Sequence, residues 1–380
     1  MRILQLTSDW KWTGPAEPLV HAVVGLRARG HEVDAAFPEP PPGHAGALLE
    51  RAGERGVEPA HVLVRQQGFV PLRDGAEVRR LRAFLRARGH EIVHAQHARG
   101  HLLARLAARG TRARVVSSWS HGDPLPPGFW NRWLYGPRGC DGLTVLSERL
   151  AESARARLGG PRERVGVVPG VVDASRFAPR AAPESLRREL GLGPDQRVIG
   201  VVARLQPHRQ VELILNALSR ALEQAPGLRL LVVGRGTRAK EVLEAPVAKL
   251  GLGSAVVRAG YRSHDYLDTL ALMDALVFLV PGSDGSCRAV LETMSMEIPT
   301  IASRRGILAE TVSNGETGAL CDETPESLAA AYCDLWREPA RWQARGKAAR
   351  RRILEHHTIA LQAERLERHY RLLIETGGDR

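Results

Sequence analysis

Residues 197–215 read RVIGVVARLQPHRQVELIL, and near residue 203 an apolar run gives way to polar and basic residues. The first part is a short apolar run rich in β-branched side chains, which predicts a buried strand, whereas residues 210–225 have the spacing of an amphipathic helix. The apolar runs at 228–234 and 275–280 are each followed by a further helical stretch. Strands that alternate with helices of this length predict a parallel sheet that helices cover on both faces.

The first half of the chain shows the same alternation. Its strand-like runs are RILQLTS (2–8), HEVDAAF (31–37), EIVHAQ (91–96), ARVVSSW (113–119), LTVLS (143–147) and VGVVP (165–169). The Pro- and Ala-rich stretch VDASRFAPRAAPE at 172–184 separates this half from the next. We therefore predict an α/β fold of two doubly wound Rossmann-like domains that face each other across a cleft.

The chain length agrees with two domains, because 380 residues exceed what one hydrophobic core usually serves. We place an N-terminal domain at 1–178 and a C-terminal domain at 179–355. The remaining segment, 356–380, contains a helix rich in Leu, Arg and Glu. This helix either packs back on the N-terminal domain or lies on the surface.

Composition excludes several protein classes. We find no run of about 18 apolar residues and no signal-peptide pattern at the start, so we expect a cytoplasmic protein. The four cysteines, at 140, 287, 321 and 333, form no CxxC pair. Neither a zinc site nor a disulfide framework is therefore expected.

The positive charge is concentrated in the first half. The formal net charge is +12, and residues 1–180 hold 27 Arg and Lys against 17 Asp and Glu. Such a surface attracts nucleic acid, an anionic membrane or a phosphorylated acceptor, or it is simply a solvated Arg-rich surface. No nucleic-acid-binding signature accompanies it, so we expect no nucleic-acid partner.

The stretch GFWNRWLYGPRG at 128–139 places aromatic residues among Arg132 and Arg138. This combination favours peripheral association with an anionic membrane at the inner face of the cell membrane. The alternative is that these aromatic residues pack in the core or line an acceptor pocket.

The stretch PGSDGSCRAVLE at 281–292 follows a predicted buried strand and opens a predicted helix over 286–296. The amino end of a helix at the end of such a strand attracts an anionic ligand. Asp284 lies just before this helix and Glu292 lies inside it. Carboxylates accept hydrogen bonds from sugar hydroxyls, and small residues at 285–287 let a sugar ring approach the main chain. Solvated surface acids are the alternative.

Arginines stand at the end of another predicted strand. Arg204 and Arg209 flank a Pro-containing turn, and the planar guanidinium suits a diphosphate. In the first half, Gly14 follows the first strand and would let main chain approach a ligand. His121 follows the strand at 113–119, with His94 and His97 as competing candidates. Neither half has a Gly-x-Gly-x-x-Gly loop, which argues against a Rossmann oxidoreductase.

With these segments in order, the sequence resembles the retaining GT-B glycosyltransferases of family 4, the glycosyl transferases group 1. The segments that carry the resemblance are MRILQLTSDWKWTGPAE, RARGHEV, EIVHAQH, the strand ending at His121-Gly122, VVPGVVDASRF, VVARLQPHR and DGSCRAVLE. The resemblance covers nearly the whole chain. It departs where Arg209 replaces a usual Lys, Asp284 a usual Glu, and Gly285-Ser286-Cys287 a usual Gly-Phe-Gly.

The resemblance implies a role for each matching position. Arg204 and Arg209 would bind the donor diphosphate, and Asp284 would contact the donor sugar with the main-chain N–H groups of Gly285, Ser286, Cys287 and Arg288. Glu292 would hold the ribose hydroxyls, and the base would lie near Tyr261 and Arg262. Gly14 would border the diphosphate, and His121 would lie near the transferred sugar. The resemblance implies retention of anomeric configuration without metal or cofactor.

The predicted function is therefore transfer of a sugar from a nucleoside diphosphate to a glycan or lipid-linked acceptor, in bacterial surface polysaccharide or lipopolysaccharide synthesis. One rival is a nucleotide-sugar epimerase of the same fold. Another is a non-catalytic GT-B partner or carbohydrate-binding protein. The nucleotide, the sugar and the acceptor stay open.

Overall fold

The computed structural model of the protein describes residues 1–12, 16–44, 47–66, 68, 70–281 and 285–376. The chain divides into two compact units. The first comprises the described residues of Met1–Val171, Ser283–Ser286 and Ile359–Arg380, and the second those of Val172–Gly282 and Cys287–Thr358. Both are built from parallel strands and covering helices.

The strands are numbered in chain order. They are β1 (Arg2–Thr7), β2 (Glu32–Pro38), β3 (Pro59–Leu63), β4 (Ile92–Gln96), β5 (Arg114–Trp119), β6 (Gly142–Val145), β7 (Val165–Val167), β8 (Arg197–Val202), β9 (Leu228–Val233), β10 (Val256–Gly260), β11 (Ala275–Phe278), β12 (Thr300–Ala302) and β13 (Gly318–Leu320).

The helices are numbered likewise. They are α1 (Ala16–Ala28), α2 (Leu48–Gly53), α3 (Pro71–Arg88), α4 (Ala98–Ala108), α5 (Phe129–Tyr135), α6 (Glu148–Leu158), α7 (Glu184–Glu189), α8 (Val211–Leu222), α9 (Ala245–Lys249), α10 (Tyr266–Leu270), α11 (Arg288–Ser295), α12 (Leu308–Thr311), α13 (Pro325–Arg337), α14 (Pro339–His356) and α15 (Ile359–Thr376). A π-helical segment, Lys240–Glu244, precedes α9.

Within the described residues, seven parallel strands form the sheet of the first unit, in the order β3-β2-β1-β4-β5-β6-β7. Side chains alternate between its two buried faces. Ile3 packs with residues of α1 and α15, while Leu4 and Leu6 pack with residues of α3 and α4. A sheet that is buried on both faces explains the nearly continuous apolar strands of the sequence.

The second unit repeats the design, with a sheet whose described strands run β10-β9-β8-β11-β12-β13, all parallel. Its core joins Ile199, Val201 and Val277 to residues of α8 and α13. In each sheet the chain builds strands on one side of its first strand and then crosses to the other side. The strand order therefore reverses between β1 and β4, and between β8 and β11. Ligands of such sheets bind beyond the carboxyl ends of the strands at these reversal points.

Residues 172–178 group with the second unit, so the division falls at 171/172 while the sequence placed it at 178/179. The Val172 N–H donates to the His357 carbonyl oxygen at 3.0 Å. The Phe177 carbonyl oxygen accepts a hydrogen bond from the Ser295 hydroxyl at 2.7 Å. These bonds attach the linker to the second unit before the sheet of that unit begins.

The last helix, α15, belongs to the first unit and packs against α1. Ala363, Leu366 and Tyr370 of α15 are buried in the core on the α1 side of the sheet. Of the two placements that the sequence left open for this helix, the structure has the one in which it packs on the N-terminal unit.

Candidate functional site

Three of the predicted donor residues, Arg204, Arg209 and Glu292, follow the carboxyl ends of β8 and β11, where the strand order of the second sheet reverses. Arg204 follows β8, and residues 207–209 form a single 3-10 turn before α8. The loop after β11 leads to α11, which carries Glu292. Because β8 and β11 are hydrogen-bonded neighbours, segments about 75 residues apart in the chain meet at one edge.

The two arginines differ in their surroundings. Arg204 is exposed, and among the described residues it takes part in no ion pair or hydrogen bond. Arg209 is half-buried, and its Nη1 donates to the Val280 carbonyl oxygen at 2.6 Å. Its guanidinium also lies 5.8 Å from the centre of the Phe278 ring. Arg209 therefore links the end of β8 to the end of β11. The exposed Arg204 guanidinium is accessible to an anion.

The start of α11 differs from the prediction. The helix begins at Arg288, two residues later than the predicted Ser286, because Gly285 and Ser286 form a turn and Cys287 has a φ of 53°. The Gly285 N–H donates to the Ser120 carbonyl oxygen at 2.9 Å, so this N–H is not the available sugar-binding donor that we predicted. Asp284 lies outside the described residues.

Glu292 is buried, with 5% of its surface exposed. The Tyr266 hydroxyl donates to Oε2 at 2.6 Å, and Arg288 Nε lies 3.6 Å from Oε1. A buried carboxylate needs such partners, because desolvation of an unpaired charge is costly. The partners also fix the orientation of the carboxylate. Sequence reasoning missed Tyr266, which lies on another helix, α10.

The predicted base-binding region follows β10. The Tyr261 side chain is 61% exposed, and the Arg235 guanidinium lies 4.5 Å from the centre of its ring. Arg262 instead donates to Glu189 at 2.9 Å and to Asp265 at 2.7 Å. Arg262 therefore braces the loop, and the groups presented at the surface are the Tyr261 ring and Arg235.

A network near the reversal point was also missed by sequence reasoning. Arg305 follows β12 and pairs with Glu323 through two hydrogen bonds, from Nε to Oε1 and from Nη2 to Oε2. Glu323 also accepts a hydrogen bond from Gln210 Nε2 at 2.9 Å. The hydrogen bond from Arg305 is the main cause that lowers the pKa of Glu323. The strand-end position of Arg305, after IPTIAS, was the signal that could have found it.

At the carboxyl edge of the first sheet, His121 follows β5 and lies 4.5 Å from Trp119, centre to centre. The Trp119 indole N–H donates to the Asp123 carbonyl oxygen at 2.8 Å, which fixes the ring against which His121 rests. Desolvation by burial lowers the pKa of His121, so its imidazole is neutral at pH 7. The predicted residue Gly14 lies outside the described residues.

Of the two competing histidines, His94 has structural surroundings. His94 is 3% exposed, and its ring bonds the Tyr370 hydroxyl at 2.5 Å and the Ser118 hydroxyl at 2.8 Å. Burial lowers the pKa of His94 to about 3, so it stays neutral and serves as a hydrogen-bonding core residue. His97 precedes α4 with a φ of 63°, and burial lowers its pKa as well.

Two comparisons with protein families cover most of the chain. The model described as Glycosyl transferases group 1 matches residues 183–352, and the model described as Glycosyltransferase Family 4 matches residues 19–176. The chain belongs to glycosyltransferase family 4. This confirms the family resemblance inferred from the strand-end motifs. Membership of this family makes the protein a glycosyltransferase.

A relative and two solved structures extend the comparison. The family 4 chain is 28% identical, over 96% of its length and 97% of the relative's, to a GDP-mannose-dependent alpha-(1-6)-phosphatidylinositol monomannoside mannosyltransferase of Mycolicibacterium smegmatis. A glycosyltransferase of Rickettsia africae superposes with a TM-score of 0.83 at 17% identity, covering 99% of each chain. HepE of Anabaena, in complex with UDP, superposes with a TM-score of 0.80 at 18% identity, covering 97% of this chain and 99% of that one. These likenesses show the GT-B fold.

Proposed function

We propose that this glycosyltransferase moves a sugar from a nucleoside-diphosphate sugar to a glycan or lipid-linked acceptor with retention of anomeric configuration. The observation that carries the proposal is that Arg204 and Arg209 follow β8 while Glu292 lies on the helix after β11, the two strands between which the order of the second sheet reverses. This edge offers cations for a diphosphate beside a buried carboxylate for hydroxyl groups. The HepE structure with UDP and the GDP-mannose-dependent relative support a nucleotide donor and leave the base open.

In this proposal Arg204 and Arg209 bind the diphosphate and stabilise the negative charge that grows on the leaving group. The bond from Arg209 to the Val280 carbonyl oxygen holds its guanidinium in place before the donor arrives. Such preorganisation matters, because donors that are already aligned need no reorganisation at the moment of reaction.

Glu292 would accept hydrogen bonds from the ribose hydroxyls, and the Tyr261 ring would lie against the base. The assignments of Asp284 to the sugar hydroxyls and of Gly14 to the diphosphate rest on the family resemblance. His121 is neutral at pH 7 and would bond a hydroxyl of the transferred sugar without placing a charge there. Metal independence is part of the proposal.

The acceptor is proposed to be a glycan or lipid of the bacterial cell envelope, met at the cytoplasmic face of the membrane. The relative from Mycolicibacterium supports this, because its name specifies a lipid acceptor. In the described part of the chain no helix is long and apolar enough to cross a membrane. Attachment would therefore be peripheral. Surface polysaccharide or lipopolysaccharide synthesis is the proposed setting.

The two rival functions predict different fates of the donor. A nucleotide-sugar epimerase would alter the sugar of the donor with no acceptor present. A non-catalytic binding protein would bind donor without turnover or hydrolysis. A thermal-shift screen over UDP, GDP and ADP sugars identifies the donor, and NMR of the incubated donor then separates these outcomes.

The test of the diphosphate site is the pair Arg204→Ala and Arg209→Ala. Each is expected to lower kcat by about 100-fold or more, on the scale of a lost oxyanion donor. Arg229→Ala is the matched control, because Arg229 is the second residue of β9 and lies at the amino-terminal edge of the same sheet. Normal kcat in both variants, measured by donor-dependent labelling with and without EDTA, would remove the basis of the proposal.

A further inference from the structure

A large groove lies at the amino-terminal edge of the first sheet, opposite the edge that carries His121. Residues 105, 108–115 and 137–141 line it, and its volume is about 740 Å³. These residues belong to the end of α4, to the connection into β5 with the first two residues of that strand, and to the connection into β6. Five arginines line the groove against a single acidic residue, Asp141. This site lies entirely within the first unit.

The positive charge of the groove is largely uncompensated. Asp141 is engaged by its surroundings, because Oδ2 accepts the Val115 N–H at 2.8 Å and Oδ1 lies 3.9 Å from Arg114. Arg109, Arg112 and Arg138 are exposed, and none takes part in the ion pairs found among the described residues. The charge of Arg109 contributes, after burial, to a lowered pKa of Arg105.

The groove continues into an exposed aromatic surface. The Arg105 guanidinium lies 3.9 Å from the centre of the Trp133 ring and donates to the Arg138 carbonyl oxygen at 2.8 Å. Trp133 in turn lies 6.1 Å from Trp130, centre to centre. Phe129 and Trp130 are each 74% exposed, so they do not belong to the core. Helix α5 therefore places the exposed rings of Phe129 and Trp130 next to the arginines of the groove.

This combination matches one kind of surface. Guanidinium groups bind phosphate through two parallel hydrogen bonds, and aromatic rings settle at the boundary between lipid headgroups and acyl chains. We propose that the arginine groove binds the phosphates of an anionic bilayer while Phe129 and Trp130 enter its interface. This proposal deepens the proposed function. Membrane binding does not require sugar transfer, but the reason for it, access to a lipid-linked acceptor, rests on the proposed function.

The placement suits a lipid-linked acceptor. The chain passes from the carboxyl end of β5 through α5 to the amino end of β6, so the segment that contains α5 connects the two edges of the sheet. A bilayer that contacts both the aromatic residues and the arginines lies along this flank. The carboxyl edge of the sheet, with His121, is then held beside the headgroups, where an acceptor enters from the membrane plane.

The experiment is co-flotation of the full chain with vesicles of phosphatidylglycerol and phosphatidylcholine at 50 mM NaCl. The double variant Arg109→Glu, Arg138→Glu should lower the partition coefficient by at least about 30-fold, since each arginine near an anionic surface contributes about fivefold. The bond from Arg105 to residue 138 uses a backbone oxygen, so it survives this change. The variant Phe129→Ser, Trp130→Ser should lose the binding that remains at high salt.

The matched control is Arg188→Glu, Arg351→Glu, which changes the net charge equally at exposed arginines of the second unit. This control should float like the unaltered protein. Equal losses in both charge variants, or no loss in the groove variant, would overturn the proposal. Binding of heparin or DNA that depends on Arg109 and Arg138, without vesicle binding, would assign the groove to a soluble polyanion instead. Donor hydrolysis should be unchanged in the groove variant, which separates this test from the proposed transfer.

Discussion

Glu292 shows how a single residue depends on neighbours that are distant in sequence. It is buried on α11, and its carboxylate is oriented by Tyr266 from α10 and by Arg288 from its own helix. Buried carboxylates without partners shift toward the neutral form, whereas hydrogen bonds to the charged form oppose this shift. The arrangement therefore holds the Glu292 carboxylate in one orientation at a buried position.

At this residue we expect Glu292→Gln to weaken nucleotide binding by about 10-fold or more, since hydrogen bonds to a charged group contribute about 1.5–3 kcal/mol. Tyr266→Phe keeps the carboxylate and should weaken binding less. Isothermal titration with UDP and GDP measures both, with Glu326→Gln on the exposed surface as control. An unchanged Kd in Glu292→Gln, with the melting temperature preserved, would argue that Glu292 only supports the fold.

At the scale of elements, the attachment of α15 to α1 depends on one glycine. A Cβ atom built on Gly25 would lie 2.9 Å from the Ala363 Cβ and 3.0 Å from the Ile359 carbonyl oxygen. These contacts are too close for a larger side chain, so the two helices approach only because residue 25 has none. Glycine lowers the helix propensity of α1 at position 25, but it allows this close packing of α1 against α15.

We therefore expect Gly25→Val to destabilise the protein by about 1–3 kcal/mol through overpacking at this contact. Gly75→Ala in α3 is the control, since a Cβ there meets no atom within 4 Å. That control should stabilise the protein by about 0.5–1 kcal/mol through helix propensity. Urea unfolding compares the two, and equal stability of Gly25→Val and the unaltered chain would contradict the packing argument.

At the scale of the whole molecule, His94, His101 and His369 are buried in the first unit as neutral rings. Burial lowers the pKa of His94 to about 3 and that of His101 and His369 to about 4, from an ordinary value of 6.5. His94 of β4 bonds the Tyr370 hydroxyl of α15 at 2.5 Å, and His101 Nε2 of α4 donates to the Leu134 carbonyl oxygen of α5 at 2.8 Å. Protonation of these rings is therefore coupled to unfolding.

The sign follows from the lowered pKa values. Above pH 6.5 the rings are neutral in the folded and the unfolded state. Below pH 6.5 the histidines bind protons in the unfolded state but not in the folded state, and this lowers the free energy of unfolding. We expect these three rings to make the free energy of unfolding about 4 kcal/mol lower at pH 5.5 than at pH 7.5, at about 1.4 kcal/mol per histidine. His94→Gln should reduce this difference by about a third. Urea unfolding that is equally stable at both pH values would refute the coupling.

The sequence predicted the central strands well, because each is buried on both faces and reads as an apolar run. It missed the edge strands β3 and β10, because β3 begins with Pro, β10 contains Arg and ends with Gly, and both are only partly buried. It also placed the start of α11 too early. Cys287 has a left-handed backbone, and only the surrounding contacts favour that conformation in a residue with a side chain.

The sequence by itself determined the alternating strands and helices, the two sheets and the arginines and acids at strand ends. These features depend on local periodicity and on the rule that parallel strands end at a common edge. Only the tertiary structure decided that Tyr266 orients Glu292, that Arg262 braces a loop while Arg204 stays available, and that His94 is a core residue. Each of these outcomes depends on which distant side chain supplies the hydrogen bond, and hydrogen-bond partners are chosen by packing in three dimensions.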